Sequence, residues 1–469
     1  MSLKAPLDER GPLDETSTKS TLFGPGWPLK FLLLGIPFWW AFGIGSFIFL
    51  IAAVVMAVDM YRRGRIRLPA GFGVWLLFLL WMTFGVFMLW VHAPGTVEGG
   101  GPGRLVGYGL RYGWYLAITV AMLYPLSFSS RVLPGMRVVR WLGMFFLYVA
   151  GLGLLGVLLP KLEFTSPMEL IVPGAQSEGF IRNLVHPSLT TFSDFLGYEQ
   201  PRPKAPFAYP NAWGNNFGLL LPFFVLAWTT SKRHWQRVAV PFVLALALIP
   251  VVFSLNRGLW IGLTILAIYA AVNSARSRHY AGLLGLAGAA VLAVIVIVAT
   301  PLADTIALRV ETPHSNDRRA TVAETVTSTT WEGSPLLGYG TTRQVQGSFG
   351  SITGGATPDC HQCAAPPMGT QGFVWRLVFT TGFVGTILFY LFLAIQMLRH
   401  IRRKDGISVV GCMALTVSLV SFMVYDSLES PLFILMLAVG LMNRQRLEAQ
   451  DHEQLVSRPT PTLPTAGVS

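Results

Sequence analysis

Charge is scarce in this chain. Asp, Glu, Lys and Arg make up only 12% of its 469 residues, where a soluble domain carries about 25%, so a surface that faces water all round is excluded. Acidic residues are the rarer kind, 23 against 35 Lys and Arg, which leaves a net charge of +12. That excess does not point to nucleic acid, because most of it falls in short turns between apolar runs, where Lys and Arg set membrane topology. Three cysteines exclude a disulfide framework. Cys412 lies inside an apolar run and reads as a packing residue. Cys360 and Cys363 form a single CxxC without a second ligand pair, which suits a local disulfide better than zinc. No metal and no cofactor is expected. Met1–Lys30 is polar and mixed in charge, without the short apolar core of a cleavable leader.

Apolar residues are what the chain has in abundance, at 52% with a mean hydropathy of +0.54. This describes an all-α polytopic membrane protein. Residues 1–30 read as a flexible cytoplasmic tail, 31–446 as a transmembrane helical domain, and 447–469 as a disordered, Pro/Thr-rich cytoplasmic tail. Phe31–Met60 is too long for one untilted span and is interrupted by Pro37, Gly43 and Gly45, which favours two short helices or one broken helix folded back. Apolar runs then recur from Phe72–Val91 through Leu105–Leu126, Trp141–Leu159, Asn211–Thr229 and Val238–Phe253 to Pro431–Met442. The basic clusters, such as Arg62–Arg67, Lys232–Arg237 and Arg399–Lys404, fall consistently on one side. The pattern predicts about twelve transmembrane helices with both ends cytoplasmic, or about eleven if the first stretch is a single span. Residues 160–209 and 300–370 are left as two long extracytoplasmic loops.

The residues that invite chemistry gather on those loops. Arg257 stands between two apolar runs in Ser254–Leu263, SLNRGLWIGL, where Asn256 and Gly258 are turn formers. A guanidinium at membrane depth costs ~2.5–3.5 kcal/mol, so it normally pairs or serves a site. Arg257 reads either as a snorkelling side chain or as a fixed cation for an anionic headgroup such as a lipid diphosphate. Arg202 and Lys204 precede the span that begins near Asn211, on an approach stiffened by Pro201, Pro203 and Pro206. Three cations at one face make a diphosphate clamp, and the planar fork of Arg suits phosphate oxygens best; the alternative is solvated loop charge. In the second loop, Arg318 and Arg319 add to the clamp or cap a peripheral helix over Ala320–Thr330, with Asp317 as its N-cap. Gly338 and Gly340 in SPLLGYG read as turn glycines. Gln371 lies at the outer end of the next span, and Arg376 inside that span is either paired or part of the site, with Asp426 and Glu429 as candidate partners. Arg111 sits near the outer end of its own span. His186, Asp194, Glu199 and His314 are loop candidates for a general base.

Four of these stretches together resemble the O-antigen ligase and polymerase family of bacterial membrane glycosyltransferases. PRPKAPFAYPNAWGNN is similar to that family's Arg-led, Pro-Asn approach to a helix, and SLNRGLWIGL to its Ser-Arg-Gly-x-Trp motif. DRRATVAETV with SPLLGYG resembles its Arg-led helix and Pro-Leu-x-Gly-x-Gly turn, and TQGFVWRLVFTTGFVG its His-Asn-x-x-Leu…Glu-x-Gly-x-x-Gly segment. The first half of the chain matches only in being hydrophobic. The resemblance implies a GT-C-like fold in which Arg202 and Arg257 hold the lipid diphosphate and Arg319, or Arg318, is the loop arginine. Two positions depart from the pattern. Ala205 stands where a glycine is expected after Arg202, and Gln371 stands where ligases carry a histidine. An amide does not titrate, so Gln371 orients rather than takes a proton, which leans toward a polymerase or a divergent transferase.

The expectation is a metal-independent glycosyltransferase of the bacterial inner membrane. It would move or polymerise a polyprenyl-diphosphate-linked glycan onto the hydroxyl of a glycan or lipid-glycan acceptor at the extracytoplasmic face. Lys204, Asn211, Arg318, Arg376 and Arg111 would bind substrate, while Arg257, Arg202, Arg319 and Gln371 would serve the reaction. The alternative is a transporter or flippase for the same lipid-linked glycan, which would place charges along a path through the membrane.

Overall fold

The structure is a computed structural model. It describes residues 24–64, 66–98, 101–172, 180–193, 199–278, 280–298, 314–346 and 366–457, with Ala303, Ile306, Ala307 and Leu308 besides. Helix accounts for 73% of it, and a two-stranded antiparallel ribbon is the only sheet among the described residues. Cys360 and Cys363 lie outside the described residues, as do residues 1–23 and 458–469.

The amino-terminal apolar stretch is three helices, α1 (Trp27–Leu34), α2 (Ile36–Phe42) and α3 (Ile48–Arg63), separated at Gly35 and Gly43. Next come α4 (Phe72–Phe84), continued by a 3-10 turn to Trp90, α5 (Gly101–Leu123) and α6 (Gly135–Leu158). Two short helices, α7 (Pro167–Ile171) and α8 (Phe180–Val185), precede the ribbon of β1 (Thr190–Ser193) and β2 (Gln200–Pro203), in which Thr191 faces Arg202. Then follow α9 (Pro210–Thr229), α10 (His234–Phe253), α11 (Arg257–Arg276), α12 (Tyr280–Val298), α13 (His314–Gly333), α14 (Phe373–His400), α15 (Gly406–Ser421) and α16 (Ser430–Ser457).

Five helices are long and apolar enough to cross a membrane among the described residues: Phe72–Trp90, Gly135–Leu158, His234–Phe253, Arg257–Arg276 and Phe373–His400. Their outward faces are apolar, as at Leu76, Leu77 and Leu80 on α4 and Ile261, Ile268 and Val272 on α11, which suits a lipid solvent. Several other helices are shorter or carry polar side chains. Helix α15 has only 16 residues, α5 carries Arg104 and Arg111, α9 carries Asn215 and Asn216, and α16 runs on into Asn443 and Arg444.

Helix α16 is the axis of the bundle. Leu432 through Leu437 are all fully buried, so this segment is apolar all round because protein surrounds it on every side. It packs on α5, α15 and α9; α6 lies along α9, and α4 along α14. Trp213 of α9 donates its indole N–H to the Val149 carbonyl of α6 at 3.0 Å. A polar clip closes the other end: Gln396 donates to the Ala70 carbonyl at 2.7 Å, Asn443 donates to Gln396 at 2.7 Å, and the Ala70 N–H donates back to Asn443 at 3.1 Å. Where α16 crosses the end of α5, a Cβ on Gly440 would lie 2.1 Å from the Met122 carbonyl oxygen. Gly440→Ala is therefore expected to force the two helices apart and destabilise the protein by ~1–3 kcal/mol, seen as a lowered Tm in detergent; an unchanged Tm would show that this crossing yields without cost.

Helix α14 is broken at Gly382, where φ is 67° and ψ −176°. The break frees the Phe379 and Thr380 carbonyls, and the turn Ser334–Gly340 fills it. Tyr339 N–H donates to Phe379 O at 2.7 Å, Gly340 N–H to Thr380 O at 3.1 Å, and Phe383 N–H to Pro335 O at 2.8 Å. Gly338 and Gly340 have positive φ as turn glycines do. Helix α13 is held by the same turn through a small apolar cluster of Val326, Tyr339, Met368, Val378 and Phe379. It begins at His314, three residues before Asp317, so Asp317 is not its N-cap: the polar run ahead of Asp317 continues the helix.

Candidate functional site

The turn that joins α10 to α11 is where the arginines meet. Ser254 and Leu255 end α10, and Leu255 takes a φ of +53° to reverse the chain. Asn256 caps α11, its Oδ1 accepting from the Leu259 N–H at 3.0 Å. That leaves Arg257 as the first residue of the helix, half-buried. Arg202, 7% exposed at the end of β2, reaches this turn: its Nε donates to the Ser254 carbonyl at 2.7 Å, and its Nη2 to Asn211 Oδ1 at 3.5 Å. Asn211 is the second residue of α9 and stands exposed. The ribbon, the start of α9 and the α10–α11 turn are thus fixed to one another through one guanidinium.

Arg319 arrives from α13. Its guanidinium lies over the Tyr425 ring, 5.9 Å from the centroid. Burial pushes its pKa down, and the nearby Arg257 charge pushes it the same way against the opposing effect of Tyr425. Tyr425 is the residue that organises the site from below. Its hydroxyl donates to Asn256 Oδ1 and accepts the Gly258 N–H at 3.0 Å. A Cβ on Gly258 would lie 2.5 Å from that hydroxyl, so the glycine of SLNRGLWIGL is there to admit the phenol. Two buried donors at the site, Asn256 Nδ2 and Arg319 Nε, have no hydrogen-bond acceptor among the described residues. Gln371 stands exposed with φ +66°, two residues before Phe373, whose N–H donates to the Tyr425 carbonyl at 2.9 Å.

Not every cation expected here joins this group. Lys204 is buried, but its ammonium neighbours are Glu163 and Arg182. Burial lowers its pKa to about 8; Glu163 opposes the shift and Arg182 adds to it. The same loop holds His186, whose Nδ1 is 2.7 Å from Glu169 Oε2. Its Nε2 lies 3.5 Å from Glu163 Oε2 without hydrogen-bond geometry. Glu169 also closes a capping box with Ser166 at the start of α7, which makes it a structural partner of His186. Glu199 is exposed just before β2. Asp194 and the side chains of His314 and Arg318 lie outside the described residues.

Arg376 and Arg111 belong to the flank. Arg376 is paired with Asp426. Arg111, 8% exposed, donates to the Gly340 carbonyl at 3.1 Å and so pins the turn that fills the break in α14. Arg343 does similar work, donating to Tyr339 O at 2.9 Å and to Met88 O at 3.3 Å. Tyr425 and Arg343 carry no motif signal that singles them out in the sequence; Tyr425 sits at the end of an apolar run and reads there as one more interface aromatic.

Chemically, the arrangement offers Arg202, Arg257 and Arg319 around one turn, with a helix N-terminus beneath them. Such a set suits a polyanion with several oxygens. A scan against protein-family models and a search of curated proteins each gave no match to this chain.

Proposed function

We propose that the chain is a membrane glycosyltransferase of the O-antigen ligase and polymerase type, built on about twelve crossings. It moves or polymerises a polyprenyl-diphosphate-linked glycan onto an acceptor hydroxyl at the extracytoplasmic face of a bacterial inner membrane. The observation that carries this reading is the convergence on the Ser254–Gly258 turn: Arg202 on the Ser254 carbonyl, Arg257 at the start of α11, and Arg319 over the ring whose hydroxyl bonds Asn256 and Gly258. In that reading the acceptor oxygen attacks the anomeric carbon and the diphosphate departs. The guanidiniums meet the charge that grows on the leaving group, which is where fixed electrostatics lower a barrier most. Gln371, exposed beside the Tyr425 segment, orients the acceptor or the diphosphate.

The test is transfer of label from a polyprenyl-diphosphate-linked oligosaccharide by the protein reconstituted in vesicles. Wild type is expected to transfer or lengthen the glycan. Arg202→Ala is expected to lower both affinity for undecaprenyl diphosphate and the rate of transfer by about 10²-fold or more, with Arg202→Lys in between. Movement of the lipid across the bilayer without transfer would reject the reading in favour of a flippase.

A further inference from the structure

Two like charges at one turn drift apart unless each is held. Arg257 opens α11 and Arg319 comes from α13, and the two repel. One side chain lies against both. Tyr425 stands just past the end of α15, 3% exposed, with its backbone fixed on two sides. Its N–H donates to the Ser421 carbonyl at 2.8 Å, and its own carbonyl accepts from the Phe373 N–H at 2.9 Å. The ring face carries the Arg319 guanidinium. The far end of the ring carries the hydroxyl, whose single proton is committed to Asn256 Oδ1 while its oxygen accepts the Gly258 N–H at 3.0 Å.

The two hydroxyl bonds fall on the residues either side of Arg257. Arg257 therefore cannot shift along the turn without breaking one of them. Asn256 is itself 2% exposed and tied to the Leu259 N–H at 3.0 Å. Gly258 is shaped for the phenol, since a Cβ there would lie 2.5 Å from the hydroxyl and 2.7 and 2.8 Å from Cε2 and Cζ of the ring. On the α13 side, residues 319–325 are exposed or half-buried, and burial begins at Val326. Arg319 is thus placed by the ring of Tyr425 rather than by a buried turn of its own helix.

We propose that Tyr425 is the positioning residue of the diphosphate site. Its hydroxyl fixes Arg257 and its ring face fixes Arg319, so the two guanidiniums stand at one set spacing before the donor arrives. The proposal rests on the reading of the arginine cluster as the diphosphate site. Tyr425 meets no reacting atom in this role and acts through the arginines alone. Charges fixed in advance stabilise a leaving group without the reorganisation that mobile ones need. The two tasks sit on different parts of one side chain and come apart by substitution: Phe keeps the ring beneath Arg319 and drops the hydroxyl, and Leu drops both.

The experiment is a double-variant cycle on full-length protein in vesicles. Label transfer from polyprenyl-diphosphate-linked oligosaccharide to acceptor glycan from the host membrane, binding of undecaprenyl diphosphate, and Tm are read on each preparation. Tyr425→Phe is expected to lower kcat by about 10–10²-fold while undecaprenyl diphosphate still binds. In an Arg257→Ala background the same change is expected to cost no more than about twofold, the scatter of such cycles. Tyr425→Leu is expected to lose more than Tyr425→Phe, and that extra loss is expected to vanish in an Arg319→Ala background. Tm is expected to fall equally in every background, because the hydroxyl bonds do not depend on the arginine side chains. Gly258→Ala displaces the phenol from the opposite side, so its loss of transfer should not add to that of Tyr425→Phe, and it takes the place of Tyr425→Phe in the cycle if that variant does not insert. Losses that multiply in full with Arg257→Ala overturn the proposal and leave the diphosphate reading standing, as does a wild-type kcat in Tyr425→Phe. If wild type neither binds undecaprenyl diphosphate nor transfers glycan, the reading beneath the proposal fails and the proposal with it.

Discussion

Arg257→Ala is expected to lower glycan transfer by about 10²–10³-fold, or ~3–4 kcal/mol of transition-state stabilisation, with little change in Tm. The two parts of that result follow from different features of the turn. The first backbone donors of α11 do not depend on the Arg257 side chain: Gly258 N–H has the Tyr425 hydroxyl and Leu259 N–H has Asn256 Oδ1. A cation in the first turn of a helix opposes the helix dipole, and Arg257 and Arg319 repel each other across the site. An anionic ligand bound at the turn would relieve both effects. Arg257→Lys keeps the charge but loses the planar fork, so it should restore part of the activity only. Transfer kinetics and thermal unfolding on the same preparations check both parts. Full activity in Arg257→Ala would remove this residue from the leaving-group site, and a large drop in Tm would make it a structural one.

How much of this was legible in the sequence depended on whether the determinant was local. The reversal at Arg257 was legible because Asn256 and Gly258 are adjacent in the chain and act within one turn: Asn256 does cap α11, and Gly258 does sit where a side chain would collide. The partner that makes Gly258 necessary, Tyr425, lies 167 residues away, and no spacing rule links them. Arg202 and Lys204 look alike in PRPK, yet one meets the Ser254 carbonyl and the other faces Glu163 and Arg182; that divergence is decided by what packs above the ribbon. Apolar runs located the helices well. They gave no sign that polar residues such as Asn215, Asn216, Gln396 and Asn443 are buried inside the bundle and bonded there. The break in α14 was not legible from the glycines of TTGFVG, since the apolar helical run continues on both sides of them.

That break is where the second large effect is expected. Gly382→Ala should undock the Ser334–Gly340 turn, destabilise the protein by more than ~3 kcal/mol and lower transfer with it. The conformation of Gly382, with φ of 67° and ψ of −176°, lies in a region open essentially to glycine alone, and a side chain there costs ~1–3 kcal/mol. The collision adds to this, because a Cβ would lie 2.2 Å from the Leu336 carbonyl oxygen and 2.4 Å from its carbon. A helix relieved of the break would give the Phe379 carbonyl back to Phe383, whose N–H now serves Pro335. The turn would then lose its bonds from Tyr339 and Gly340, each worth ~0.5–1.5 kcal/mol, and Arg111 would lose the Gly340 carbonyl to which it donates. Helix α13 is anchored through Tyr339, whose hydroxyl donates to Thr329 O at 3.1 Å and whose ring packs on Phe379. Losing that anchor lets α13 lift Arg319 away from Tyr425, ~15 Å along the helix from Thr329 (~1.5 Å per residue over ten residues). Three readouts should therefore move together in Gly382→Ala: Tm falls, limited proteolysis cuts newly at 334–346, and affinity for undecaprenyl diphosphate weakens. A variant that keeps its Tm and its cleavage pattern would show that the loop docks without the break. A variant that unfolds the loop yet binds the diphosphate as before would remove Arg319 from the site.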